Sequence, residues 1–395
     1  MQPFSGVKVL DLTHVLAGPF CAYQLSVMGA DVIKIEPPDE GDMVRPAGGV
    51  EALNDKGLGT NFISQNSNKR AITLNLKSEK GREILKRLVA ISDVLIENYR
   101  AGAMAKLGLG YEDLAKINPR LIYCSMTGFG QKGPKGGQTA YDNVVQAISG
   151  LMTTTGWPDT KPVKVGPPVL DYGSGTMAAF AISCALFQRT KTGKGQHIDV
   201  SMFDSALMLM ASTVTELING GAEPALTGND TDNAGYAGYD TKSGYLMVGA
   251  WTVGQQKRLW NAIGRPEMAK AKRLSDLSKL HDEQAKVLTE VFKTKTADEW
   301  VEILHKAGLP AERVRTLKEA LAHEQLKSRG VLHTHQQVPG VAQRMTVPVA
   351  AFTYAHGGPS VRTPPPQHGQ HTDEVLAELG LHNDQIKDLR QSGVV

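Results

Sequence analysis

Short apolar runs alternate with segments of helical spacing over the first 130 residues of the chain. The apolar runs predict five strands, at residues 7–12, 31–35, 72–76, 94–96 and 121–125. Between them, helices are predicted from Pro19 to Met28, after a cap at Ser78, and over residues 111–117. Alternating strands and helices are typical of an α/β fold, in which helices cover both faces of a parallel sheet.

The pattern changes after residue 128, where glycine and proline become dense up to residue 175. Loops at the carboxyl ends of parallel strands commonly carry the chemistry of such folds. The next predictions are a helix over 176–188, a strand over 197–200 and a helix over 203–218. A hairpin at 239–248, followed by helices, indicates a smaller α+β domain over residues 225–325.

Composition narrows the class of protein. The 395 residues include 43 basic and 40 acidic side chains, a balance that argues against nucleic acid as the main partner. Cys21, Cys124 and Cys184 lie in apolar segments without metal-ligand spacing, so we expect reduced, buried thiols. No basic segment followed by an apolar run opens the chain, and no apolar stretch of about 20 residues is evident. A cytoplasmic location is expected.

A dinucleotide-binding unit is the obvious alternative for the first strands. It requires Gly-x-Gly-x-x-Gly after the first strand, so that backbone amides approach a pyrophosphate. Here that turn has one glycine, Gly18, and Pro19 removes an amide. No histidine, cysteine or carboxylate cluster has metal-ligand spacing either. We therefore expect neither a permanently bound cofactor nor a metal.

Asp171 stands between a proline-rigid approach and small residues that open a helix. The simplest interpretation is an aspartate that caps the helix N-terminus. The same geometry suits a nucleophile, because a helix N-terminus keeps a carboxylate ionised. Tyr141, after a glycine-rich loop, either hydrogen-bonds a reacting carbonyl or is an ordinary half-buried tyrosine. Basic residues of the first domain either are solvated or bind a phosphorylated ligand.

Several longer motifs resemble the class III CoA-transferases, the superfamily of formyl-CoA transferase, carnitine CoA-transferase and 2-methylacyl-CoA racemase. The resemblance spans nearly the whole chain. The motifs are Leu10-Asp-Leu-Thr-His-Val-Leu-Ala-Gly-Pro19, Gly29-Ala-Asp-Val-Ile-Lys-Ile-Glu36, Gly41-Asp-Met-Val-Arg45, Glu97-Asn-Tyr-Arg100, Ser125-Met-Thr-Gly-Phe-Gly-Gln131, Ala140-Tyr-Asp142, Lys191-Thr-Gly-Lys-Gly195 and Gly369-Gln-His-Thr-Asp-Glu-Val-Leu376.

This resemblance implies an open Rossmann-like large domain that binds coenzyme A and is made from both chain ends, residues 1–220 and 330–395. It also implies a small domain and a homodimer whose chains interlock. It places the family's nucleophilic aspartate on Asp171 and its tyrosine and acidic pair on Tyr141 and Asp142. The resemblance further places coenzyme A contacts on His14, Val15, Ala17, Leu74, Lys77, Asn98, Tyr99, Arg100 and Lys106. Coenzyme A would be a substrate and a covalent intermediate, carried as an aspartyl-CoA thioester formed through an anhydride. Amides at the helix start would stabilise the oxyanions.

The chain departs from two branches of the superfamily. The racemases have a histidine base where this chain has Tyr141, and racemisation needs two acid/base groups. Formyl-CoA:oxalate transferases have four consecutive glycines where residues 249–255 contain only two. Transfer of CoA to a small dicarboxylate such as succinate, glutarate or oxalate is the expected activity, and Arg45 either binds the distal carboxylate or is structural. The alternatives are a 2-methylacyl-CoA racemase and a non-catalytic CoA-ester-binding protein.

Overall fold

Eleven strands are present in the computed structural model, which describes residues 1–395. They are β1 (Lys8–Leu12), β2 (Asp31–Glu36), β3 (Lys69–Thr73), β4 (Val94–Glu97), β5 (Ile122–Thr127), β6 (Gln196–Ser201), β7 (Gly238–Asp240), β8 (Tyr245–Val248), β9 (Ala311–Arg313), β10 (Leu332–His335) and β11 (Met345–Pro348).

Seventeen α-helices accompany these strands. They are α1 (Ala17–Val27), α2 (Glu51–Asn54), α3 (Thr60–Ile63), α4 (Glu79–Ala90), α5 (Ala103–Lys106), α6 (Tyr111–Ile117), α7 (Asp142–Ile148), α8 (Val169–Thr192), α9 (Met202–Leu209), α10 (Ala211–Ile218), α11 (Val253–Ala262), α12 (Leu277–Phe292), α13 (Ala297–Lys306), α14 (Leu317–Ala322), α15 (Glu324–Arg329), α16 (Thr372–Glu378) and α17 (Asn383–Gln391). Short 3₁₀ turns occur at Leu151–Thr154, Pro266–Met268 and Leu274–Asp276.

The chain divides into two compact units. The larger comprises Met1–Met152, Lys164–Glu223 and Gly330–Val395. The smaller comprises Thr153–Val163 and Pro224–Arg329. In the smaller unit, a three-stranded antiparallel sheet of β7, β8 and β9 packs against α11, α12 and α13.

A six-stranded sheet forms the centre of the larger unit, in the order β3-β2-β1-β4-β5-β6. Every neighbouring pair is parallel, which confirms the predicted open Rossmann-like sheet. The strand order reverses between β1 and β4, because β1 continues to β2 on one side and β4 continues to β5 on the other. Open α/β sheets bind ligands at such a switch point, beyond the carboxyl ends of the strands.

Helices cover both faces of this sheet. On one face α4 and α6, together with α16 and α17 from the C-terminal segment, bury their apolar side chains. On the other face α1 and α8 do so. Ser78 caps α4 by accepting a hydrogen bond from the amide of Gly81, as its position before the amphipathic run predicts.

Some predicted boundaries were wrong. The third strand runs from Lys69 to Thr73 rather than over 72–76. Its first residue, Lys69, is polar and is buried through an ion pair with Asp11, so the apolar pattern did not indicate where the strand begins. The helix predicted over 203–218 breaks at Met210 into α9 and α10. The segments α7 and α17 were not predicted.

The long helix α8 begins at Val169, seven residues before its predicted start, and covers 24 residues. By length and composition alone it is apolar enough to cross a membrane, a test that core helices of globular proteins also pass. In this chain it packs along α1, β5 and β6. Cys184 on α8 is exposed, so the expectation of a buried thiol was wrong there, whereas Cys21 and Cys124 are buried.

Candidate active site

A cavity of about 410 Å³ opens at the switch point of the six-stranded sheet. Residues 14–17 after β1, 98–101 after β4 and 126–130 at the end of β5 form its walls. Residues 137–141 and the first turns of α8, with Asp171, complete it. All of these residues belong to the larger unit. The fold therefore gathers loops from three adjacent strands around one carboxylate.

The wall after β1 has an unusual backbone. Val15 has a φ of +70°, in the left-handed region that a β-branched residue rarely adopts. The amide of the neighbouring His14 donates to Asn98 Oδ1 at 3.0 Å, and Asn98 Nδ2 donates back to the His14 carbonyl at 2.8 Å. This reciprocal pair joins the walls after β1 and β4. Strained residues of this kind cluster at functional sites, where surrounding contacts hold them.

Asp171 is the third residue of α8, and it does not cap the helix as the sequence suggested. The cap comes from Asp142 on α7, whose Oδ2 accepts the amides of Leu170 at 2.7 Å and Asp171 at 3.2 Å. Gln146 Nε2 donates to the other oxygen of Asp142 at 2.5 Å. These first amides of α8 are thus already engaged. The prediction that they stabilise oxyanions was therefore wrong.

Burial and the nearby negative charge of Asp142 raise the pKa of Asp171 to about 7. No hydrogen bond contributes to this shift, so the Asp171 carboxylate stands without a donor from the chain. The charge of Asp142 lies at the N-terminus of α8 and opposes the effect of the helix dipole on Asp171. An unpartnered carboxylate facing a cavity is well suited to nucleophilic attack.

Tyr141 and Asp142, neighbours in sequence, occupy different environments. Tyr141 lines the cavity with 57% of its surface exposed. Asp142 is buried and does not line the cavity, since its oxygens are turned to the start of α8 and to Gln146. Contact of Asp142 with the substrate stays a prediction, although both of its oxygens are bonded within the chain. Its contacts make it a residue that positions Asp171.

Six of the nine predicted coenzyme A contacts line the cavity: His14, Val15, Ala17, Asn98, Tyr99 and Arg100. Leu74 lies outside it and is buried in the core between the sheet and α4, so its side chain is not accessible. Lys77 and Lys106 are exposed and also lie outside the cavity lining. For these two lysines, contact with a phosphate group stays a prediction.

Arg45 has a structural role. Its guanidinium makes a two-point ion pair with Glu36, at 2.7 and 2.6 Å, and also donates to the carbonyls of Gly57 and Pro366. Its charged end lies 4.0 Å from the centre of the Phe62 ring, and the residue is buried. Of the two alternatives for Arg45, these bonds favour the structural one, because its donors are engaged within the fold.

The sequence analysis missed several residues at the site. Ser174, one turn after Asp171, lines the cavity, as do Val200 and Met202 at the end of β6. Glu97 at the end of β4 is buried, which raises its pKa to about 7, and it accepts the amide of Tyr99 at 2.9 Å. Residues at the carboxyl ends of β4, β5 and β6 could have been singled out from the sequence, because open parallel sheets bind ligands there. No group of three His, Cys, Asp or Glu side chains is arranged to hold a metal ion.

The fold and cavity define an α/β protein with an unpartnered carboxylate at the switch point of its sheet. The model of CoA-transferase family III matches residues 4–372 of the chain. The chain is 36% identical over 404 residues to the succinyl-CoA:glutarate CoA-transferase of Homo sapiens, which covers 100% of this chain and 90% of that protein. It is 40% identical over 335 residues to the acetyl-CoA:oxalate CoA-transferase of Acetobacter aceti, which covers 84% and 85%.

A comparison with solved structures points to the same family. The crystal structure of a CAIB/BAIF family protein from Brucella suis superposes with a TM-score of 0.82 at 34% identity, covering 96% of this chain and 99% of that one. The chain belongs to CoA-transferase family III and is an enzyme of that class. The resemblance inferred from the sequence motifs is confirmed.

Proposed function

We propose that this enzyme moves CoA from an acyl-CoA donor to a small dicarboxylic acid through a covalent intermediate on Asp171. The observation that carries the proposal is the Asp171 carboxylate itself, which faces the switch-point cavity without a donor from the chain. The names of the relatives support the substrate class, because they pair succinyl-CoA with glutarate and acetyl-CoA with oxalate.

The reaction begins with attack of the Asp171 carboxylate on the thioester carbonyl of the donor. A mixed anhydride forms and the CoA thiolate leaves. The thiolate then attacks the aspartyl carbonyl, which gives an aspartyl-CoA thioester and releases the donor's carboxylate. The acceptor carboxylate attacks that thioester, forms a second anhydride and again frees the thiolate. Attack of the thiolate on the acceptor carbonyl yields the new acyl-CoA and restores Asp171.

The raised pKa of Asp171 favours its role as a nucleophile. A carboxylate of higher pKa is the stronger nucleophile towards the thioester, yet about half of it is ionised near pH 7. We assign to Asp142 the positioning of Asp171, and to the Tyr141 hydroxyl the hydrogen bond to the developing oxyanion. Tyr141 takes this role because the first amides of α8 bond Asp142.

Coenzyme A would enter along the walls after β1 and β4, which contain His14, Val15 and Asn98. Arg100, Lys77 and Lys106 supply exposed positive charge in the segments that follow β3 and β4. We assign these three side chains to the phosphate groups. The proposed large domain, residues 1–220 and 330–395, would then bind CoA, and the small domain, residues 225–325, would complete the fold.

The proposed assembly is an interlocked homodimer. Its support is an exposed apolar surface on α8, α9 and α10, which we call the α8–α10 face. Phe180, Phe187, Met208 and Ile218 expose between 62% and 75% of their surface there. Large exposed apolar side chains on three consecutive helices are typical of an interaction site. We place the enzyme in the cytoplasm, a reducing compartment that suits its free cysteines.

A crossed panel of donors and acceptors tests the proposed activity. Succinyl-CoA and acetyl-CoA would each be combined with glutarate, oxalate and a monocarboxylic acid, and new acyl-CoA would be separated and quantified. We expect transfer to at least one dicarboxylate, and a loss of at least about 10³-fold in Asp171→Ala. Tyr141→Phe is the milder variant, with an expected loss of about 10-fold or more.

The same panel in deuterated water separates the alternatives. Deuterium uptake at the α-carbon of a 2-methylacyl-CoA without transfer would identify a racemase. Tight binding of CoA esters with no turnover on any pair would identify a binding protein. Either result would overturn the proposed reaction.

A further inference from the structure

The motif Gly41-Asp-Met-Val-Arg45 has no role in the reaction proposed above, although it stands beside the cavity. Asp42 within it is buried, with 2% of its surface exposed. Its Oδ2 accepts a hydrogen bond from Lys34 Nζ at 2.9 Å, and both side chains are excluded from solvent. Burying a charge pair is costly unless every remaining lone pair is used. The second carboxylate oxygen of Asp42, Oδ1, must therefore have hydrogen-bond donors of its own.

That oxygen reaches the cavity wall. Asp42 Oδ1 accepts the amide of Val15 at 3.1 Å, and also the amide of Val44 at 3.2 Å. On the other side of the same residue, Gln65 Nε2 donates to the Val15 carbonyl at 2.7 Å. Lys34 adds a bond to the Thr13 carbonyl at 2.8 Å. The strained residue is thus held at both of its peptide groups by side chains from outside its own loop.

A valine costs free energy in the left-handed region, so it stays there only when its surroundings impose that conformation. Without a bond to its amide, rotation to an ordinary extended or helical conformation would turn the peptide groups around His14 and Val15. Both residues line the cavity. The shape of this wall then depends on the side chains that bond Val15.

We infer that Asp42 is a positioning residue for acyl-CoA: through the Val15 amide it holds the cavity wall after β1 in the conformation that receives the ligand. The inference rests on the proposed function, since it assumes that CoA binds along this wall. Lys34 compensates the charge of Asp42, and Gln65 fixes the opposite peptide group. Asp42 itself touches no substrate.

The test must separate this role from that of a mere partner for Lys34. Both variants to be compared therefore carry Lys34→Met, which removes the buried positive charge. One adds Asp42→Asn, which keeps an oxygen for the Val15 amide, and the other adds Asp42→Leu, which has a similar volume and no acceptor. Melting temperatures establish that both are folded. Calorimetry with free coenzyme A gives Kd, and steady-state kinetics give kcat and KM for the acyl-CoA.

We expect the Asp42→Leu combination to bind coenzyme A about tenfold more weakly than the Asp42→Asn combination. KM for the acyl-CoA should rise in parallel, while kcat changes by less than about threefold, because a wall that binds the ligand acts on ground state and transition state alike. Adding Val15→Gly to both should reduce the tenfold difference in Kd below about threefold. Glycine adopts a positive φ readily, so the wall no longer depends on Asp42.

Equal Kd values for the two combinations would overturn the inference. So would a tenfold difference that persists with Val15→Gly, since a purely structural loss does not depend on the backbone preference of residue 15. If the Asp42→Leu combination fails to fold, Gln65→Met decides: it should weaken binding severalfold and be rescued by Val15→Gly, and no effect would overturn the inference. Failure of the unaltered enzyme to bind coenzyme A would instead contradict the proposed function, and the inference with it.

Discussion

At the scale of single residues, the site depends on the arrangement of two carboxylates. Asp142 is bonded on both oxygens and buried, while Asp171 has no donor from the chain and faces the cavity. Burial and the nearby charge of Asp142 raise the pKa of Asp171 to about 7. Similar carboxylates with different environments often divide two tasks in this way. In the reaction that we propose, the tasks are positioning and chemical attack.

This arrangement predicts a pH dependence of the rate. Because the attacking form is the carboxylate and its pKa is about 7, kcat/KM for the acyl-CoA should rise with pH through a midpoint near 7. Asp142→Asn removes the neighbouring charge and keeps an acceptor for the helix amides, so the midpoint should fall by about one pH unit. Initial rates from pH 5 to 9 measure both. A midpoint that does not move would contradict the assigned cause of the shift.

Stability gives an independent check with a definite sign. The folded-state pKa of Asp171 lies above its ordinary value of 3.8, so ionisation destabilises the fold. The stability that neutral Asp171 contributes is present below pH 4 and is lost as pH rises through about 7. Asp171→Asn should therefore unfold at the same urea concentration as the unaltered enzyme at pH 4, and at a higher one at pH 8.

The sequence singled out Asp171 and Tyr141 as candidates, but it did not show which side chains bond around them. The cap of α8 comes from Asp142, which lies 29 residues before Asp171, and local rules for helix ends consider only adjacent residues. Arg45 was ambiguous for a related reason. Its partner Glu36 is the last residue of β2. Only the folded chain shows that all three guanidinium nitrogens of Arg45 are engaged.

At the scale of secondary structure, the placement of Asp171 depends on how closely α8 approaches α1. Gly175 lies one turn after Asp171, and a Cβ atom at that position would stand 2.6 Å from the carbonyl oxygen of Ala17. Ala17 is also part of the cavity wall. The glycine therefore lets the nucleophile's helix lie directly against the wall after β1.

Gly175→Ala should destabilise the enzyme by about 1–3 kcal/mol, because backbone atoms must move to admit the methyl group. Gly173→Ala is the matched control in the same helix. Its Cβ would meet only the end of the Leu209 side chain, at 3.1 Å, and alanine's helix propensity favours the change by up to about 1 kcal/mol. Urea denaturation compares the two. Equal stabilities would refute the close approach of α1 and α8.

Strand and helix order could be predicted because the central strands, four to six residues long, contain short apolar stretches between turn signals. Boundaries failed where tertiary contacts override local pattern. Lys69 and Lys34 lie fully buried in β3 and β2 because carboxylates from other segments pair with them. From the sequence alone, a lysine in a strand cannot be matched with the distant carboxylate that allows it to be buried.

At the scale of the whole molecule, the parallel sheet in the order 3-2-1-4-5-6 fixes where chemistry occurs. The crevice between β1 and β4 collects the loops after three strands, and α8 brings Asp171 to it. The absence of a glycine-rich turn after β1 removes the usual pyrophosphate site of this fold. In this chain Val15, with its positive φ, and the Asp171 carboxylate line the cavity at that place.

The α8–α10 face predicts the oligomeric state. The unaltered enzyme should sediment as a dimer, and Phe180→Asp combined with Phe187→Asp should sediment as a monomer with reduced activity. Ile91→Asp, at an exposed apolar position after α4 in the same unit, is the control and should stay dimeric. Analytical ultracentrifugation measures all three. A fully active monomeric enzyme would contradict the proposed assembly.

The most direct test of the account is the chemical state of Asp171 during turnover. The enzyme would be incubated with an acyl-CoA donor, quenched with hydroxylamine and digested, and the peptides analysed by mass spectrometry. The account predicts a hydroxamate on Asp171 that appears only with the donor and is absent from Asp171→Asn. Continued CoA transfer with Asp171 unmodified, or a hydroxamate on another carboxylate such as Asp142, would contradict it.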